Sequence, residues 1–154
     1  MLLEEPRTLY RLSRSDLVRQ RALRRIVRTE ELLMRMLGVE LFDSERRREP
    51  RQAIQTPINL CPVQVKGLSI LATDDAPPFL AFTSNISLNG LGFVHDEPWR
   101  CNLFLAEFDV SELEPLRLLV KLRWTTRPQP HAYRSGGRVL GVARRPTPSA
   151  ASDD

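Results

Sequence analysis

Residues 79–95 read FLAFTSNISLNGLGFVH, in which two runs of apolar side chains flank the polar segment SNISLNG. Asn89-Gly90 is a strong signal for a tight turn between antiparallel strands, because both residue types tolerate unusual backbone angles. The stretch therefore predicts two neighbouring strands, at residues 79–84 and 91–95.

The same texture of short extended runs, separated by Pro, Gly, Asn and Asp, extends from Asp43 to Val142. We place strands at residues 53–65, 79–84, 91–95, 102–110, 116–124 and 133–142, with a loop at 73–78. Six short antiparallel strands predict a mainly β fold, and specifically a barrel, because closure removes exposed strand edges.

A long N-terminal α-helix is predicted ahead of these strands, since Ser15 is a start signal and Gly38 a stop signal. Helical spacing relates two apolar rows, Val18, Ala22, Ile26, Leu33 and Leu37, and Leu23, Val27 and Met34. These rows would pack on the following domain or on a second copy of the chain, which makes a homodimer through the helix one expectation.

Three regions follow from this pattern. Residues 1–44 form a helical extension, residues 45–142 a barrel with a basic N-terminal arm, and residues 143–154 a disordered tail. The 154 residues suffice for one domain with an appendage.

Composition favours a phosphate-bearing partner. The net charge is +4, and nearly all of the 23 basic residues are arginine, whose forked guanidinium suits phosphate. Cys61 and Cys101 lack metal-ligand spacing, and no apolar run reaches the ~18 residues of a membrane span. We therefore expect a cytoplasmic protein with no metal, no cofactor and no membrane span.

Two motifs carry the functional prediction. Residues 45–51 read ERRREPR and contain the RxxxR pair Arg47 and Arg51, a common pattern in an arginine-rich chain. Asn85, Ser87 and Gly90 form [DN]xSxxG, which this composition would produce by chance only about 0.03 times. The second motif is therefore the informative one.

In this order and spacing, the two motifs resemble the PilZ family, and the resemblance covers about residues 45–142. It implies a bacterial sensor or adaptor that binds the nucleotide second messenger cyclic di-GMP, signals through an effector protein and catalyses no reaction. By resemblance, the ligand-binding residues are Arg47, Arg51, Asn85, Ser87 and Gly90. Two additional arginines could supplement the phosphate contacts, Arg46 and Arg48.

The chemistry of these residues agrees with that role. Pro50 favours an extended arm, in which the Cα atoms of Arg47 and Arg51 lie up to about 13 Å apart. Guanidinium groups match both phosphate and the O6/N7 edge of guanine. Asn85 and Ser87 would share one face of a strand. Local alternatives remain, because Gly90 could serve only the turn and the Ser87 hydroxyl could cap it.

Other functional classes rank lower. His95 and His131 show no spacing that pairs them with Ser or Cys, and His95-Asp96-Glu97 predicts an exposed loop rather than a metal site. Trp99 and Trp124 are interpreted as core or edge residues. An adaptor without nucleotide binding stays open, as does a nucleic-acid binder using the arginines of residues 19–28.

Overall fold

The computed structural model describes residues 8–36, 56–73, 79–110 and 114–146, with backbone alone at 32–36. The described chain contains one helix and eight strands. They are β1 (Thr8–Ser13), α1 (Asp16–Met36), β2 (Pro57–Lys66), β3 (Ser69–Ala72), β4 (Phe79–Ile86), β5 (Gly90–His95), β6 (Leu103–Phe108), β7 (Leu116–Gln129) and β8 (Ala132–Arg144). The prediction of a mainly β fold is confirmed, whereas the prediction of six strands is wrong.

The two unpredicted strands, β1 and β3, are short and pair with each other. β3 follows a tight turn at Gly67, whose φ of 63° is readily adopted by glycine. β1 precedes the helix and also pairs with β8, through Arg11, Leu12 and Ser13. β3 also pairs with β2 across the turn at Gly67, and its four residues are too few to show clear alternation. The partners of β1 are distant in sequence, so local periodicity did not reveal this strand.

All strand pairs are antiparallel, in the order β1-β3-β2-β4-β5-β8-β7-β6. β6 also pairs with β2, through residues such as Leu60 opposite Ala106. Hydrogen bonding therefore runs from β2 through β4, β5, β8, β7 and β6 and returns to β2. These six strands are the six that the sequence predicts.

Buried side chains lie on both faces of β6 and β7. Phe104 and Val120 belong to a large core cluster, while Leu105 and Leu119 belong to a second cluster with Leu12 of β1. Strands buried on both faces have continuous apolar runs instead of alternation. This explains the segments LFLA and LLV within these two strands.

Helix α1 packs on the sheet of its own chain. The Val18 amide donates to the Ser15 hydroxyl at 3.3 Å, which caps the helix at its predicted start. Ala22 and Ile26 are buried in the large core cluster, and Val18, Leu23 and Val27 pack against it. The described part of both apolar rows is thus covered within one chain.

The last strand continues beyond its predicted end at Val142. Ala143 is buried and pairs with Leu12 and Arg117, so it belongs to the sheet and not to a tail. The arm at residues 45–51 and the chain after Pro146 lie outside the described residues. Within the described ranges, no helix is both long and apolar enough to cross a membrane.

Candidate functional site

One row of residues crosses four strands on the outer side of the sheet. Strand register sets Asn85 opposite Gly92, Gly92 opposite Gly136, and Gly136 opposite Trp124. Directly opposed residues in antiparallel strands point to the same side. The neighbouring residue Phe93 points to the core and is fully buried, so the row faces outward. We call Gly92 and Gly136 the glycine floor.

A β-bulge places two polar side chains over one end of the floor. Register shifts between Thr83 and Asn85, so both Ser84 and Asn85 oppose Gly92. A Cβ atom at Gly92 would lie 2.8 Å from Ser84 Oγ and 3.0 Å from Asn85 Oδ1. Neither side chain has a hydrogen bond to another described residue. Their polar groups are therefore available to a ligand.

Trp124 covers the other end of the floor. A Cβ atom at Gly136 would lie 2.5 Å from Cζ2 of the indole, so the ring rests on bare backbone. Trp124 is 50% exposed, whereas Trp99 is a core residue, as predicted. At a strand spacing of about 4.8 Å, three intervals separate Asn85 from Trp124 by roughly 14 Å. The floor is thus bordered by an amide and an aromatic ring.

Two arginines flank the glycine floor on β8. Arg134 and Arg138 lie two residues on either side of Gly136, so they share its outward face at about 7 Å spacing. Both arginines are exposed, and neither forms an ion pair with another described residue. Neither arginine was among the binding residues expected from the sequence, although residues 134–138, RSGGR, show the alternation of a strand with one cationic face.

Ser87 and Gly90 close the turn between β4 and β5. The Ser87 amide donates to the Gly90 carbonyl at 2.9 Å, and the Gly90 amide donates to Ser87 Oγ at 3.1 Å. The Ser87 hydroxyl therefore caps the turn as an acceptor. Its own hydrogen can still be donated to another group. Gly90 does not adopt a positive φ. A Cβ atom there would make only ordinary contacts, at 3.5 Å or more, so the turn does not require glycine.

The same turn is attached to α1. Arg19 Nη1 donates to Asn89 Oδ1 at 2.9 Å, and the Val139 amide donates to the Asn89 carbonyl at 3.0 Å. Arg19 also forms an ion pair with Asp16. This guanidinium is largely buried, so the contact joins the helix firmly to the turn that carries the second motif.

Asn85, Ser87 and Gly90 are brought together in one hairpin, whereas Arg46, Arg47, Arg48 and Arg51 lie outside the described residues. The point at which the arm enters the sheet is described. The Thr83 amide donates to the Thr56 carbonyl at 2.9 Å, immediately before β2. Because β2 and β4 are antiparallel, the end of β2 that follows the arm lies beside the end of β4 that carries Asn85.

His95 is buried, which corrects its expected position in an exposed loop. Its Nδ1 lies 2.6 Å from the Glu97 carbonyl, which can only accept, so the neutral ring is protonated at Nδ1. Nε2 accepts from Ser135 Oγ at 2.8 Å, and Ser135 Oγ lies 2.9 Å from Thr125 Oγ1. Ser135 is fully buried, so the hydrogen bond between His95 and Ser135 gives each of these buried polar side chains a partner inside the protein.

Replacing Ser135 with alanine is expected to lower the free energy of unfolding by about 1–3 kcal/mol, because Nε2 of buried His95 loses its donor. Urea denaturation of wild type and S135A measures this change. The matched control is Thr125→Val, which removes the outer hydroxyl at an exposed position and should cost less. An S135A variant as stable as wild type would contradict the structural role.

Cys61 and Cys101 are both free. Burial, with a smaller contribution from Glu107, raises the pKa of the Cys61 thiol to about 11. The thiol is therefore protonated at neutral pH, and Cys61 is not a reactive nucleophile.

Comparison of the chain with protein-family models, curated proteins and solved structures yields no match. Function is therefore inferred from the side chains on the outer face of the sheet.

Proposed function

We propose that the protein is a cyclic di-GMP sensor of the PilZ type, in which the arm closes over the glycine floor and its borders. The observation that carries this proposal is the half-buried amide of Asn85 over Gly92, on a face that also presents Trp124, Arg134 and Arg138. No catalytic step is needed for this role.

Each border of the floor suits one part of a guanine dinucleotide. The Asn85 amide can pair with a base edge, and the Ser87 hydroxyl can donate to a phosphate or carbonyl oxygen. The indole of Trp124 offers a stacking surface, because every base has a π face. The guanidinium groups of Arg134 and Arg138 match phosphate oxygens or the O6/N7 edge of guanine.

The attachment of the arm supports a clamp formed by Arg47 and Arg51. Arg51 stands five positions before Thr56, a reach of up to about 17 Å in extended chain. Thr56 pairs with Thr83, two positions before Asn85. Arg51 can therefore reach the floor, and Arg47 can approach its far side. Arg46 and Arg48 would supplement the phosphate contacts.

The finer fold assignment belongs to the same proposal. A six-stranded PilZ-type barrel agrees with the hydrogen bonding that runs from β2 through β4, β5, β8, β7 and β6 and returns to β2. The second motif lies on this ring, at the β4 to β5 turn. β1 and β3 would then be additions to the barrel.

The signal would leave the site through protein contacts. Ordering of the arm changes the surface that an effector meets, and the Arg19 to Asn89 hydrogen bond gives the turn a direct connection to α1. The helix is then a candidate output surface. A homodimer through α1 would have to use parts of the helix other than the apolar residues that already pack on the sheet.

Calorimetric titration with cyclic di-GMP tests the proposal. We expect saturable binding that is weakened in Asn85→Ala, while circular dichroism shows an intact fold. Absence of binding at high micromolar ligand would favour the adaptor that ignores nucleotides. A nucleic-acid binder would instead lose affinity steeply with salt and show no preference for the cyclic dinucleotide.

Removing the indole in Trp124→Ala is expected to weaken cyclic di-GMP binding by about 1–3 kcal/mol, the contribution of one stacked base. Trp124→Phe is the matched control, since it keeps an aromatic face and should retain most of the affinity. Both variants should fold, because the side chain is half exposed. Equal affinity of wild type and W124A would exclude stacking on Trp124.

A further inference from the structure

A cavity of about 670 Å³ lies between α1 and the ends of β7 and β8 that are remote from the glycine floor. Its lining includes one acidic residue, Glu114, and five arginines, Arg21, Arg25, Arg117, Arg144 and Arg145. The guanidinium of Arg117 lies over the ring of Tyr10, which is not among the lining residues. Leu116, in its wall, and Trp124, beside the floor, are eight residues apart along β7, or about 26 Å. The cavity is therefore a separate site.

Arg117 and Arg145 are paired with carboxylates, and Arg25 also has an interaction partner. Arg117 Nε donates to Glu107 Oε2 at 2.7 Å, and Arg145 Nε donates to Glu114 Oε1 at 2.6 Å. Neither carboxylate pairs with Arg21 on the helical wall or with Arg144 on the strand wall. The positive charges of these two side chains are therefore not balanced by Glu107 or Glu114. The cavity thus keeps an excess of positive charge.

Strand register adds a further positive charge beside the cavity. Arg144 of β8 lies directly opposite Arg11 of β1. Like charges in this position repel each other and destabilise the strand pair. A bound anion at Arg144 would offset that repulsion. This pairing is a second observation, independent of the lining residues, that points to an anionic ligand.

Apolar side chains line another part of the cavity. Val18 and Ala22 contribute from α1, and Leu116 and Val142 contribute from β7 and β8. Ala22, Leu116 and Val142 are core residues that are already buried, so the apolar surface open to a ligand is mainly that of half-buried Val18. The volume lies within the range of about 300–1,000 Å³ that is usual for small-molecule sites. The occupant that fits both surfaces carries phosphate groups and an apolar part.

We propose that this cavity binds a phosphorylated small molecule, with its phosphates between Arg21 and Arg144 and its remaining part against Val18. Arginine suits this task because its planar fork can donate two hydrogen bonds to one phosphate group. The site is independent of the proposed cyclic di-GMP surface, so the protein would respond to two anionic ligands.

Calorimetric titrations with ATP and with inorganic tripolyphosphate test this proposal. Both probes should bind the full chain, and ATP should bind more tightly because its nucleoside can also contact Val18. Arg21→Ala and Arg144→Ala should each weaken ATP binding roughly tenfold, the usual loss for one charged hydrogen-bond partner. Both residues are exposed, so the variants should fold normally.

Arg100→Ala is the matched control, because it removes one exposed arginine outside the cavity. It should leave ATP affinity unchanged, and an equal loss there would overturn the proposal in favour of general electrostatic attraction. Tighter binding of a hexaglutamate peptide than of ATP would also overturn it, since the site would then accept an acidic protein segment.

Cyclic di-GMP distinguishes the two surfaces. Its binding should be weakened in Asn85→Ala and kept in the double variant R21A/R144A. The opposite pattern would place the cyclic dinucleotide in the cavity and would contradict a separate site. If cyclic di-GMP fails to bind at all while ATP still binds through Arg21 and Arg144, the proposed function fails and the cavity proposal stands.

Discussion

Replacing Arg51 with alanine is expected to weaken cyclic di-GMP binding about ten- to a hundred-fold. Loss of one charged hydrogen-bond partner commonly costs about 1.5–3 kcal/mol, which corresponds to this change in affinity. Arg47→Ala should have an effect of similar size, because the two guanidinium groups would grip the ligand from two sides. Calorimetry on each variant, with thermal unfolding as a check of the fold, provides the measurement.

The control for the arm variants is Arg24→Ala, which removes an exposed arginine from α1. Cyclic di-GMP binding should be unaffected by this change. A comparable loss in R24A would mean that net charge, and not a clamp, determines affinity. R47A and R51A could both keep wild-type affinity for cyclic di-GMP while Asn85→Ala binds it more weakly. This result would contradict the clamp and would assign the phosphate contacts to Arg134 and Arg138.

Gly141→Ala is expected to destabilise the fold more than any exposed substitution, toward the upper end of the range of about 1–3 kcal/mol for overpacking. A Cβ atom at this position would overlap the Ser13 carbonyl oxygen and lie 2.8 Å from Leu12 Cδ1. The overlapped atom belongs to the backbone, so relief requires β1 to move away from β8. Urea denaturation measures the loss of stability.

Gly90→Ala is the matched glycine control, since its added methyl group would make only ordinary contacts. It should change the free energy of unfolding by less than about 0.5 kcal/mol. Hydrogen exchange at the Leu12 amide, which donates to the Leu68 carbonyl at 2.8 Å, reports directly on β1. Wild-type stability and protection in G141A would show that β1 contributes little to the sheet.

Local sequence signals located most of the strands correctly. The runs FLAFTS and LGFVH lie in β4 and β5. The turn between them falls at residues 87–89, one position earlier than the predicted Asn89-Gly90 turn, and neither Asn89 nor Gly90 adopts a positive φ. The start of α1 was also predicted from Ser15, whose hydroxyl caps the helix. These features depend on neighbours within a few residues, which is the range over which side-chain periodicity and capping act.

The contacts of His95 illustrate what local signals miss. Ser135 lies 40 positions away along the chain, and only the pairing of β5 with β8 brings its hydroxyl to the imidazole. The same holds for β1, whose partners are β3 and β8. The spacing of residues along the sequence does not predict either contact, because strand register is determined by packing of the whole sheet.

The amino-acid sequence by itself determined the mainly β class, six of the eight strands, and the hairpin that carries Asn85, Ser87 and Gly90. Tertiary structure alone decided that Gly92, Gly136 and Trp124 lie in one row with Asn85, and that Arg21 and Arg144 line one cavity. The physical reason is that alternation and turns arise between near neighbours, whereas a binding surface is assembled across strands and between helix and sheet by long-range hydrogen bonding and burial.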